Sequence, residues 1–165
     1  MMLFKWIRSS LIALMLYVLA SCNHESVSLT SKEFLEIKRN VSLTADSISK
    51  NVSDKGPAAW LQYFERTPQF FMASEGQLAF PNNEAAKTFI INNLVKSIRK
   101  IELHWSNIHI DPLTDKFANM AANFHEEIVD SSGKISAMNG YFTAVMHRTA
   151  QGWKLHNMHW SIGQY

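Results

Sequence analysis

The sequence predicts an α+β fold in which helices pack on one face of an antiparallel sheet. Three observations carry the prediction. Between residues 31 and 98 the apolar residues recur mostly with a helical period. From Ile101 onward they alternate in long stretches, as strands do. Turn-forming residues separate the segments at Lys55-Gly56-Pro57, Glu75-Gly76, Ser131-Ser132-Gly133 and Ala150-Gln151. A run of helices followed by a run of strands satisfies its apolar surfaces by laying the helices against one sheet face.

The first helix is expected to begin at Ser31, an N-cap type, and to carry Phe34, Leu35, Ile37, Val41, Ile48 and Val52 before Gly56-Pro57 ends it. Pro57 is suited to open the second helix, "PAAWLQYFE", with Trp60, Tyr63 and Phe64 along one face. "PQFFMASEGQLAFPN" reads as two short strands about Glu75-Gly76. Asn82 or Asn83 caps a third helix, "EAAKTFIINNLVKSI". Four strands then follow as a meander: one ending at Pro112, one through "DKFANMAANFHEEIVD", and the pair "AMNGYFTAVMHRT" and "GWKLHNMHWSI".

The first residues set the expected address. Lys5 and Arg8 precede the apolar run "LIALMLYVLA", which is too short to span a bilayer comfortably but suits a secretory signal. Leu19-Ala20-Ser21-Cys22 resembles the bacterial lipobox, in which the cysteine becomes the acylated N-terminus. Cys22 is the single cysteine, so an exported chain has no disulfide framework to account for it. The expected organisation is a signal peptide over 1–21, a tether over 22–30 and one domain over 31–165. The resemblance implies a lipid anchor through Cys22 in the cell envelope, and Asn23 favours the outer membrane, facing the periplasm, over the inner. The chain has 16 basic and 14 acidic residues, and Lys5 and Arg8 lie in the leader, so the remainder is formally neutral. Nothing in that balance advertises the basic patch a nucleic-acid partner would need, and none is expected.

"YFTAVMHRTAQGWKLHNMHWS" and "DPLTDKFA" resemble the closing hairpin and the preceding strand entry of the nuclear transport factor 2-like superfamily, the ketosteroid-isomerase or polyketide-cyclase-like cone. The resemblance covers nearly all of the chain after the tether. Asn157 stands where many relatives have a histidine, and His159 and Ser161 keep the rest of that alternating pattern. The resemblance implies a cone-like curved antiparallel sheet with three helices on its concave face. It also implies a homodimer through the outer sheet face.

Strand alternation sorts the candidate site residues. It sends Trp153, Leu155, Asn157, His159 and Ser161 to one face and Lys154, His156, Met158 and Trp160 to the other. A two-residue turn at Ala150-Gln151 would pair Arg148 with Trp153, Met146 with Leu155, Ala144 with Asn157 and Phe142 with His159. If Ser132-Gly133 is also a two-residue turn, Asn119, Asn123 and His125 join the face of Phe142; a turn one residue longer reverses this. Trp60 and Tyr63 could close the mouth of the cone. The expected ligand-binding set is therefore Trp60, Tyr63, Asn123, His125, Phe142, Asn157 and His159, around a small, partly apolar molecule that is bound without being transformed. The alternatives are an isomerase, cyclase or dehydratase with His159 as general base and Tyr63 as donor, and a protein-interaction module using the outer face, where Trp160 and Met158 would be exposed. The acids, including adjacent Glu126 and Glu127, are expected to be solvated. The histidines scatter over both strand parities, so neither a metal site nor a cofactor is expected.

Overall fold

A computed structural model describes residues 29–163; the leader, Cys22 and most of the tether lie outside the described residues. Helix α1 runs Ser31–Lys55. Thr30, one residue before the expected cap, closes a capping box: its hydroxyl accepts from Glu33 N and the Glu33 carboxylate accepts from Thr30 N. Ile37, Val41, Ala45, Ile48 and Val52 form its buried stripe. Each large aliphatic on that stripe contributes about 1.5–3 kcal/mol by leaving water. Gly56, at φ 78°, ends the helix in a conformation that a side chain would strain.

Pro57–Gln62 forms a 3₁₀ turn, and Trp60, Tyr63 and Phe64 are all buried as the helical spacing anticipates. A hairpin of β1 (Phe71–Ser74) and β2 (Gln77–Phe80) follows. Helix α2 (Asn83–Phe89), capped by Asn82, widens into a π-helical turn over Ile90–Leu94 before the short α3 (Val95–Ser97). The long strands are β3 (Ile98–Pro112), β4 (Phe117–Asp130), β5 (Ile135–Thr149) and β6 (Gly152–Ile162).

The six strands form one sheet in the order β2-β1-β6-β5-β4-β3. Strands β3 to β6 are the expected antiparallel meander, whereas β1 lies parallel to β6, a pairing that the sequence reading did not anticipate. Helix α1 is locked onto the edge strand β3: Ser49 Oγ donates to Leu103 O (2.6 Å), Leu103 N to Ser53 Oγ (3.0 Å), and Trp105 Nε1 to Ala45 O (3.0 Å).

Two features fix which side chains face the helices. The β4–β5 register pairs Asn123 with Tyr141 and His125 with Asn139, one residue from the two-residue-turn alternative. In the β5–β6 pair, Met146 faces Leu155 as expected, but Val145 then faces Asn157, so His156 is an extra residue in a β-bulge. Strand parity therefore resets within β6. Trp153 and Leu155 before the bulge, and Met158 and Trp160 after it, are all buried. Asn157 and His159 are on the opposite, outer face, which corrects the simple alternation. Gly140 is demanded by packing: a Cβ there would lie 2.0 Å from Ser161 O and 2.5 Å from the Phe124 ring.

Candidate functional site

Along the inward parity of β4 the side chains are Ala118, Met120, Ala122, Phe124, Glu126 and Ile128, so one acid interrupts an apolar stripe. Glu126 is 8% exposed. It lines a cavity of about 370 Å³ on the helical side of the sheet. Trp60 and Phe64 wall the cavity from the segment after α1, and Met72, Ser74, Ala79 and Phe80 from the β1–β2 hairpin. Phe89, Ile90 and Leu94 come from the second helical segment, and Met158 and Trp160 from β6. The π-helical turn carries both Ile90 and Leu94, which line this wall.

Burial pushes the Glu126 carboxyl up to about 7, with no hydrogen bond or neighbouring charge offsetting it. Among the described residues, Ser74 is the only other lining residue with a side-chain hydroxyl, amide or charge. The cavity thus offers an apolar ligand a single strong polar partner, one that exchanges a proton near neutrality.

The expected site residues separate into two groups. Trp60 lines the cavity. Tyr63 is buried nearby in the chain, but its hydroxyl accepts from Asn51 Nδ2 (2.5 Å) on α1 and it is not among the lining residues. Phe142 is fully buried among Trp105 and Trp160, with ring centroids 5.1 and 5.4 Å away. Asn123, His125, Asn157 and His159 are on the outer face instead. Asn123 Oδ1 accepts from Asn107 Nδ2 (3.1 Å), and His125 Nδ1 meets Asn139 Oδ1 (2.8 Å). Asn157 and His159 share an outer groove with Asn119 and Thr143.

The structure therefore does not bring His159 and Tyr63 together as base and donor: the first is exposed on the outer face and the second is buried on the inner side. Trp160 and Met158, expected on the outer face, are core residues at 9% and 3% exposure. The apolar outer patch they were expected to form, and with it that motive for a dimer or partner there, is absent.

A second polar cluster lies on the outer face. Phe64 bridges to Leu155 alongside β6 and turns its ring into the core, so Glu65 projects outward. There its carboxylate accepts from His147 Nδ1 (2.8 Å) and His156 Nδ1 (2.7 Å), one oxygen each. Burial raises the Glu65 carboxyl, but the two imidazole hydrogen bonds and their charges outweigh it and hold the group below the usual carboxylate range.

No family model and no curated protein matches the sequence. Solved structures do match. A Salmonella enterica protein of the nuclear transport factor 2-like superfamily shares 17% identity, with a TM-score of 0.63 over 83% of this chain and 95% of that one. The chain has the nuclear transport factor 2-like fold. A Novosphingobium aromaticivorans protein provisionally named a scytalone dehydratase has this fold at a TM-score of 0.71, with 14% identity over 82% of this chain and 89% of its own. Hexachlorocyclohexane dehydrochlorinase LinA-type3 from Novosphingobium barchaimii LL02 matches at 0.65, with 10% identity over 82% and 92%.

Proposed function

We propose that the protein is a lipid-anchored envelope protein whose cone binds a small, largely apolar, uncharged molecule carrying one acceptor oxygen, which the protonated Glu126 carboxyl holds. The observation that carries this is the unpaired, buried carboxyl in an otherwise apolar cavity. Desolvation favours the protonated form of this acid, and a ligand's carbonyl or hydroxyl oxygen would give that proton an acceptor inside the cavity. The anchor rests on Lys5, Arg8, the apolar run after them and Cys22.

Trp60 and Trp160 report on the cavity directly. Titration with small aromatic ketones and phenols should change their fluorescence, with affinity falling as pH rises through about 7 and the donor proton leaves. Ala79→Trp, which fills the exposed cavity wall, should abolish the effect. Equal binding by the wild type and this variant would overturn the cavity as the site. Labelling with radioactive palmitate in a bacterial host, with Cys22→Ser as the control, tests the anchor; label that persists in the variant sinks it.

A second reading has its own observation. A carboxyl near neutrality populates both protonation states, as a general acid–base needs. The dehydratase and dehydrochlorinase names of the similar structures fit proton abstraction by Glu126 in an elimination. Among the described residues the cavity has no second titratable side chain, which is why binding is preferred. Turnover of a bound halide or hydroxy compound that Glu126→Gln abolishes, with binding retained, would decide for chemistry.

A further inference from the structure

We propose that Glu65, His147 and His156 form a binding site for a transition-metal dication of the Zn2+ class on the outer face of the sheet, separate from the cone. The three donors come from distant stretches: the segment after the 3₁₀ turn, the end of β5 and the bulge of β6. One ligand atom from each lies within 4.8 Å of the others. Two backbone hydrogen bonds hold the carboxylate segment against β6, Leu155 N to Tyr63 O (2.8 Å) and Glu65 N to Leu155 O (2.9 Å).

The rings are arranged to converge. The imidazoles of His147 and His156 are nearly perpendicular, at 81°, with centroids 6.0 Å apart. Phe117 lies flat on His147 at 4.4 Å and edge-on to His156 at 5.9 Å, so it fixes both planes and walls one side with hydrocarbon. The Glu65 side chain is 8% exposed and the two rings 24% and 25%, which leaves an opening to water beside buried ligands. Lys154, the register partner of His147, has its ammonium committed to Gln62 O (2.6 Å).

Two imidazole nitrogens and one carboxylate suit Zn2+, Co2+ or Ni2+; Ca2+ and Mg2+ require mostly oxygen ligands in greater number. The present N···O separations of 2.7 and 2.8 Å are hydrogen bonds. Ligands about 2.1 Å from a tetrahedral ion stand about 3.4 Å apart, so binding needs each contact to open by roughly 0.6 Å. The ion then occupies the space of the two shared protons. Each imidazole coordinates through Nδ1 as its Nε2–H tautomer, and water completes the shell on the open side.

The test is calorimetric titration of the metal-stripped, folded protein with Zn2+, alongside Co2+ absorption as a report of imidazole ligation. The expected result is one ion per chain. His147→Gln and His156→Gln should each weaken binding by at least about a hundredfold, since even loss of a hydrogen-bond partner behind a ligand costs 10–100-fold. His159→Gln and Glu126→Gln should leave it unchanged, which keeps this test independent of the cone. Circular dichroism confirms that the variants fold. No binding by the folded wild type, or binding that both imidazole variants retain, overturns the site and leaves Glu65 as a clamp holding its segment to the sheet.

Discussion

Replacing Glu126 by Gln isolates the energetic consequence of burying a carboxyl without a partner. The unfolded chain releases this proton near 4.5 and the folded chain near 7. Between those values the folded protein holds a proton that the unfolded one has lost, so this group makes stability fall as pH rises. Two and a half units at about 1.36 kcal/mol each give roughly 3 kcal/mol, lost progressively from pH 4.5 and fully by slightly above pH 7. Glutamine keeps the shape and polarity and cannot ionise. Urea unfolding of both proteins from pH 4 to pH 8.5 reads the difference, and other titrating groups cancel. The variant should match the wild type near pH 4 and exceed it by about 3 kcal/mol at pH 8. A difference that stays constant with pH would refute an ionising, unpaired Glu126.

Three further outcomes follow from contacts on the sheet and helices. Gly140→Ala places a methyl 2.0 Å from a backbone carbonyl that cannot swing aside, so destabilisation on the order of 3 kcal/mol or more is expected by thermal or urea unfolding; a loss under about 1 kcal/mol would contradict that packing. Tyr63→Phe removes the acceptor of Asn51 and should cost about 1 kcal/mol in unfolding while leaving cavity ligand affinity unchanged, because the hydroxyl faces α1. Trp105→Phe deletes the donor to Ala45 O and part of the contact with Phe142 and Trp160; about 2 kcal/mol should be lost, with faster amide exchange in β3 as the check.

The order and type of the elements were readable because long periodic segments and turn residues agree along the chain. Asn82 and Gly56 punctuate it where the helices begin and end. The parallel β1–β6 pairing was not legible, since nothing local to a four-residue strand names its neighbour. Face assignment failed for a sharper reason: a period of two carries an insertion error to every later residue. One extra residue at His156 moved Met158 and Trp160 inward and Asn157 and His159 outward.

Both polar sites left signals of different strength. Glu126 was expected to be solvated, and its burial corrects that: once β4 is given a face it is the sole acid in the inward stripe Ala118, Met120, Ala122, Phe124 and Ile128. His147 and His156 fall on one face even under simple alternation, because His147 pairs with Lys154. Their third partner was hidden. Glu65 reaches them only through the bridge between Phe64 and Leu155, a contact across 91 positions that no spacing rule encodes.

The bulge in β6 has a consequence for how this chain tolerates change. Take out His156, and Trp153, Leu155, Met158 and Trp160 still fall inward, now by unbroken alternation with Lys154, Asn157 and His159 outward. The interior thus has no use for the extra residue. A strand one position shorter would fold around the same tryptophans and lose only an imidazole from its outer surface. For this corner of the molecule the decisive edit is a change of length, since a single codon inserted or deleted there grants or withdraws the His156 imidazole beside Glu65 while the core stays as it was.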